Sequence, residues 1–222
     1  MRRAQPPVPA PTLSDVRDAR KKFREVEPRD LFYRAATELV KLARSGTSDL
    51  SLADALAVLL QTWNVTFYRF KKMDEQHLGQ LSALLVSCDK QLAAFRDMTI
   101  DSLCDDDERA VLELFQRFAE LLGPVGAAKA LHLLASRFFP LWDNEIACHY
   151  PGCRLSKPHD GKGYWLFMQY TKQQIGDLHG SGILHTLKAL DEYNYCRFTL
   201  PMLERKRKAA LEKRRGKLAK SG

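Results

Sequence analysis

Apolar residues recur along most of this chain at intervals of three and four, which is the spacing of helices that bury one face. Phe32, Ala35, Ala36, Leu39, Val40 and Ala43 form one such set, and Arg44-Ser45-Gly46 closes it. Ser51 precedes Leu52, Ala55, Leu56, Leu59 and Leu60, with Asp54 at the third following position, a near capping box that predicts a helix start. A third helix fits His77–Phe95 through Leu78, Leu81, Leu84, Leu85 and Leu92. Asp105-Asp106-Asp107 places negative charge where the peptide dipoles of a helix start favour it. Val111, Leu112, Leu114, Phe115, Phe118, Leu121 and Leu122 then make a strong apolar face. Gly123-Pro124-Val125-Gly126 breaks the pattern, which resumes over Ala127–Ala135. After an irregular stretch from His149 to Gly163, two more helices are expected near Tyr164–Leu178 and Ile183–Phe198. No alternating strand pattern and no internal repeat stands out. The pattern predicts an all-α helical bundle, with a single domain over 12–200.

Composition narrows the class. The chain has 222 residues, 45% of them hydrophobic and 28% charged, which is enough for one buried core and too apolar for wholesale disorder. The proline-rich residues 1–11 predict a disordered arm. No apolar run approaches the roughly 20 residues of a membrane-spanning helix, so no membrane partner is expected, and the N-terminal residues lack the apolar core of a secretory signal. Five cysteines without regular spacing point away from a disulfide framework and towards a reducing, cytoplasmic location.

The formal charge of +8 is unevenly placed. Residues 201–222 hold nine Lys/Arg, among them Arg205, Lys206, Arg207 and Lys208, against Glu204 and Glu212. Arg2 and Arg3 add two more, which leaves the body of the chain close to neutral. A basic C-terminal tail of this kind suits a polyanion, because each neutralised phosphate releases a counterion. It equally suits a solvated, solubilising helix end.

The segment Leu121–Ala147 carries the most chemistry. A glycine-containing bend that opens a helix exposes backbone N–H groups suited to a phosphate oxygen, and Asp143 follows seventeen residues after Gly126. Here the chain resembles the helix-hairpin-helix superfamily of base-excision DNA glycosylases, of the endonuclease III and adenine glycosylase type. Leu122-Gly123-Pro124-Val125-Gly126 stands in place of the family's L-P-G-V-G, Ala130 matches the alanine that follows, and Trp142-Asp143 matches its V-D step. Leu59-Leu60-Gln61-Thr62-Trp63-Asn64 is similar to the family's L-S-x-Q-T-x-D segment. The resemblance covers about 52–147, the expected glycosylase-like core.

The resemblance implies duplex DNA as the partner, probed by Gln61 and Asn64 near the target base and gripped by Gly123, Val125, Gly126 and the amides beyond. It implies Asp143 as the catalytic carboxylate for cleaving an N-glycosidic bond, and a nucleoid-associated place in the cell. The departures are specific. Pro124 occupies the first hairpin glycine position, and the spacing from hairpin to aspartate is shorter by about one helical turn. The Schiff-base lysine of bifunctional members falls on Ala128, with Lys129 one residue on, about 100° round the helix, so that Lys129 is expected to contact phosphate at most. Cys148 stands where an arginine often follows, and the iron–sulphur cysteine pattern is absent. Monofunctional glycosylase chemistry, or none, is the expectation.

Plainer readings of the same residues stay open. Asp143 fits the N-cap of a helix opening at Asn144, and 123–126 fits an ordinary helix–helix connection. Gln61 and Asn64 could serve only backbone groups at a helix end, and Trp63 and Trp142 suit the core. The whole then reads as a catalytically inactive DNA-binding protein or a helical protein-interaction module. His132, between Leu131 and Leu133, reads as a buried, hydrogen-bonded histidine. Cys148, His149, Cys153 and His159 invite a zinc reading, but His149 directly abuts Cys148, and neither metal nor cofactor is expected.

Overall fold

The computed structural model describes residues 10–153, 161–176, 178 and 186–218, with side chains as far as 213. The chain is all-α, and no strand occurs among the described residues. No helix among them is long and apolar enough to cross a membrane.

Local chemistry starts and stops the helices. Helix α1 (Leu13–Val26) opens on a capping box between Thr12 and Asp15 and buries Val16, Ala19 and Phe23. Helix α2 (Asp30–Ser45) ends on Gly46, whose φ of 65° is the left-handed turn that a helix C-terminus favours. Helix α3 (Leu52–Trp63) begins at the box expected from sequence: Asp54 N–H donates to Ser51 Oγ at 3.1 Å, and Asp54 accepts from Ser51 N–H at 3.0 Å. A single short turn, α4 (Val65–Tyr68), follows at once. Helix α5 (Glu75–Arg96) is capped by Asp74 and starts two residues before the sequence places it.

The acidic run Asp105–Asp107 forms a 3₁₀ turn ahead of α6 (Glu108–Leu134) instead of that helix's first turn. Helix α6 is the axis of the molecule. Gly123 alone leaves helical dihedrals (φ 70°, ψ 163°), so the expected bend is a kink at one residue. Beyond it, every residue of Gly126–Leu134 is buried, the polar Lys129 and His132 among them. Helices α2 and α3 pack on it together with α5 and α8 (Gly161–Gly176), while α7 (Asn144–Ala147) lies past its end. His132 sits within this core. Its Nδ1–H donates to the Phe139 carbonyl at 2.7 Å, and Nε2 shares a hydrogen bond of 2.9 Å with the Tyr33 hydroxyl, so both ring nitrogens are satisfied.

Helix α9 (Thr186–Asn194) packs against α1. It runs without a break through a π-helical turn, Tyr195–Thr199, into α10 (Leu200–Leu218). The basic stretch is therefore helical from its root. Residues 1–9 of the proline-rich arm, and Ile183–His185 of the last expected helix, lie outside the described residues.

Candidate functional site

A cleft of about 410 Å³ opens between the second half of α6, the head of α7 and the joint from α9 to α10. That size is within the range of small-molecule sites. Phe23, Trp63, Trp142 and Tyr195 give it aromatic walls. Seven charged residues among those described line it, including Lys129 from α6, Asp143 from the head of α7 and Asp191 from α9.

Asp143 owes its place to the chain before it. Trp142 is locked by Phe115, Tyr164 and Phe167, and the Tyr164 hydroxyl donates to the Pro140 carbonyl at 2.8 Å. The next residue then falls at an N-cap, where Asp143 Oδ1 accepts from Ile146 N–H at 2.8 Å. The cap reading of Asp143 is therefore correct, and the same carboxylate also lines the cleft. Burial raises its pKa above the usual aspartate value, while the Ile146 amide and the Lys129 ammonium act against that rise.

Lys129 is only 8% exposed. Its ammonium donates to the Trp63 carbonyl and lies 6.0 Å from the centre of the Trp63 ring. Burial lowers its pKa to about 8, against the pull of Asp143 and Asp191. Counting from Gly126 in the glycosylase frame turns this lysine away from the aspartate; the structure sets it beside Asp143.

Sequence reasoning misses Asp191. Burial is the main cause that pushes its pKa up to about 6; Lys188 acts against it, while Asp143 and Glu192 add to it. Lys188, itself 4% exposed, lies 3.4 Å from Asp191, 3.3 Å from Glu192 and 3.6 Å from Asp30. The ammonium also stands 4.2 Å from the Phe23 ring and 5.2 Å from that of Trp63, so aromatic faces hold it where carboxylates surround it. A signal was present: Lys188, Asp191 and Tyr195 are spaced three and four apart on one helical face. On the far side, Arg29 grips Glu27 with contacts of 2.7 and 2.6 Å, and the Tyr195 hydroxyl donates to Glu27 at 2.7 Å. Two buried polar atoms of cleft-lining residues, Trp142 Nε1 and Thr199 Oγ1, have no hydrogen-bond partner.

The other expected site residues divide. Asn64 and Val125 line the cleft, and Asn64 Nδ2 donates to the Leu122 carbonyl at 3.2 Å, closing the first half of α6. Gln61 does not line it: α3 turns Leu56, Leu59 and Leu60 inward, which leaves Gln61 exposed on the outer face. The phosphate-cradle reading of Gly126 is also corrected. A Cβ there would lie 2.8 Å from Asn64 Nδ2 and 2.9 Å from Leu122 Cβ, so this glycine serves close packing beneath other side chains. Gly123 is partly exposed and faces Phe67. Arg205, Arg207 and Lys208 are exposed on α10, and Lys206 reaches the rim of the cleft beside Met202 and Leu203.

Of the zinc candidates, His149 stacks on Phe198 at 4.1 Å, Cys148 is exposed, and burial pushes the Cys153 thiol up to about 12. His159 lies outside the described residues, among which no three His, Cys, Asp or Glu side chains are grouped to hold a metal ion.

Asp191 and Lys129 both weaken the fold near neutrality. Between about pH 4 and 6 the folded chain holds a proton on Asp191 that the unfolded chain has released, so this residue's contribution to stability falls as pH rises through 6. Between about pH 8 and 10 the unfolded chain holds the Lys129 proton more firmly, so stability recovers as pH rises. Asp191→Asn, which leaves Lys188 paired with Asp30 and Glu192, is expected to raise the unfolding free energy at pH 7.5 by roughly 1–2 kcal/mol. Urea midpoints at pH 7.5 and pH 4 check this, since the gain should vanish at the lower value.

The described residues thus define an all-α protein with a charged, aromatic-walled cleft at the foot of a basic helix. No family model matches the chain, and neither a curated protein nor a solved structure matches it.

Proposed function

We propose that this protein binds DNA and that its cleft receives a nucleotide turned out of the duplex, where Asp143 supports cleavage of the N-glycosidic bond. One observation carries the reading: the Asp143 carboxylate and the Lys129 ammonium share an aromatic-walled cleft whose rim bears Lys206 of the basic helix. Enzymes that act on a base hold it between aromatic or apolar side chains, away from its stack. As the base departs, positive charge grows on the sugar. A fixed carboxylate in a water-poor site opposes that charge more strongly than it would in bulk water.

Lys129 has a positioning part in this scheme. Its cation lowers the pKa of the neighbouring Asp143, in opposition to the larger effect of burial. The exposed cations of α10 hold the phosphate backbone outside the cleft, which makes the nucleoid the expected location. Closure of the bend around Gly126 removes the amide cradle from the mechanism, and the burden of backbone binding passes to these side chains.

Base release from duplexes carrying a panel of damaged bases, measured together with DNA retention across a salt series, tests the proposal. Release of at least one base with salt-dependent retention supports it. Retention without release leaves a DNA-binding protein that does not cleave, and loss of both overturns the reading in favour of a protein-interaction module. Replacing Arg205, Arg207 and Lys208 by Gln is expected to reduce the slope of log affinity against log salt by about 0.9 for each phosphate that is no longer neutralised. An unchanged slope would mean that α10 serves only solubility.

A further inference from the structure

We propose that the corner between α4 and α5 binds an unpaired base of a DNA strand, which stacks on Phe70 while Arg69 and Lys72 hold its phosphates. The inference rests on the DNA-binding reading above and specifies the form of strand that approaches the cleft. Of the eleven phenylalanines, nine are wholly or partly buried, whereas Phe32 is 38% exposed and Phe70 86%. A single apolar side chain at a surface is ordinary, so exposure alone decides nothing. What sets Phe70 apart is the rigidity and the charge of the corner that carries it.

The corner is tied down from several sides. The N–H groups of Arg69 and Lys71 donate to the carbonyls four residues back, Val65 at 2.9 Å and Phe67 at 3.1 Å. Phe70 N–H also reaches the Phe67 carbonyl, at 3.1 Å. Phe67 lies against Gly123, on which a Cβ would stand 3.1 Å from its ring. The Tyr68 hydroxyl and His77 Nε2 share a hydrogen bond of 3.1 Å, which joins the corner to α5. Lys71 Nζ donates to the Leu121 carbonyl at 3.3 Å, so this cation serves the fold. Phe67, Tyr68 and Lys71 thus anchor the turn, and Phe70 stands out from it. A ligand that covers a ring already fixed in place has little ordering cost to meet.

Charge selects the partner. Residues 61–73 hold three cations and no acid, and Asp74, the first acid that follows, caps α5. Arg69 and Lys72 are exposed, and no acid among the described residues pairs with either. An apolar ring between two such cations complements a base on its phosphate backbone: the ring takes a face of the base, and the cations take the phosphates. A lipid surface is a poorer match, because stable attachment needs a wider apolar face or a second anchor. Within residues 61–73, Val65 is the one other large apolar side chain that is exposed.

The corner also adjoins the cleft, which Val65 and Thr66 help to line. Phe70 follows them by four and five residues, about 6–7 Å along a helical turn, or roughly two nucleotide steps. A strand with one base in the cleft can therefore lay a nearby base on Phe70. That base must be unpaired, since in an intact duplex its neighbours already cover both of its faces. Single-stranded or opened DNA is the form that satisfies cleft and corner together.

The full chain, Phe70→Ala, Phe70→Trp and a double variant (Arg69→Gln with Lys72→Gln) are titrated with two probes. One is a short single-stranded DNA carrying the fluorescent base 2-aminopurine at successive central positions; the other is the duplex of the same sequence. The wild type is expected to bind the single strand more tightly than the duplex and to quench its fluorescence by stacking. Phe70→Ala should weaken single-strand binding about 10-fold and abolish the quench, with duplex affinity unchanged. Phe70→Trp should keep both. The double variant should lower the slope of log affinity against log salt by about 0.7 for each phosphate no longer neutralised. Equal single-strand affinity in wild type and Phe70→Ala overturns the inference. Duplex retention without single-strand binding overturns it and leaves the reading of the cleft standing, whereas failure to retain either form removes both. Vesicles of phosphatidylserine and phosphatidylcholine form the last arm. Their capture by the wild type but not by Phe70→Ala, with no oligonucleotide bound, overturns the inference in favour of a membrane surface.

Discussion

Asp143→Asn should lower base release by about a factor of 1,000 while the protein stays folded. Asparagine caps a helix start as well as aspartate does, so the 2.8 Å bond from Ile146 N–H survives the change. What disappears is the charge, and loss of one fixed electrostatic group at a reacting centre typically costs about 100- to 1,000-fold in rate. The pKa of Lys129 should then drop below about 8, because a carboxylate that holds its proton has gone. Asp143→Ala is the companion, since it removes cap and charge together and should also cost about 1 kcal/mol of stability. Single-turnover base release and thermal unfolding of the two variants separate the roles. Full activity in Asp143→Asn would reduce Asp143 to a cap and sink the catalytic assignment.

Gly123→Ala is expected to destabilise the molecule by about 3 kcal/mol. The backbone there has φ 70° and ψ 163°, a region that side chains other than glycine scarcely enter. A methyl group would in addition lie 3.1 and 3.2 Å from the Phe67 ring. Gly46→Ala is the internal control: its φ is also positive, at 65°, but nothing lies within 4 Å of the added carbon, so about 1 kcal/mol is expected. Urea unfolding of the two variants gives the comparison. Equal costs would mean that the kink at Gly123 relaxes freely.

Much of the architecture is legible along the chain because helices are local objects. The Ser51–Asp54 box, the Gly46 stop and the apolar stripe of α6 follow from neighbours three and four residues apart. Asp143 is legible for the same reason, since an aspartate after an aromatic-proline stretch marks a helix start. Gln61 is a misreading that periodicity alone corrects: it stands next to Leu60 but on the outward side of Leu56, Leu59 and Leu60. The place of Lys129 depends on which elements pack around α6, and the sequence spacing alone does not show that it lines the same cleft as Asp143. Asp191 and Lys188 are hidden for another reason. Charged residues are rarely buried, and theirs follows from α1 laying Phe23 across α9, between residues far apart in sequence. The π-helical turn has no composition signature at all.

That turn joins inner and outer surfaces without slack. Tyr195 and Thr199 stand inside the cleft, while Arg205, Arg207 and Lys208 project from the same uninterrupted rod a few residues further along. With no loop between them to absorb movement, a polyanion that pulls on the exposed end levers the buried one. On the proposed DNA-binding reading, grip on the outside and the shape of the interior wall become a single mechanical variable.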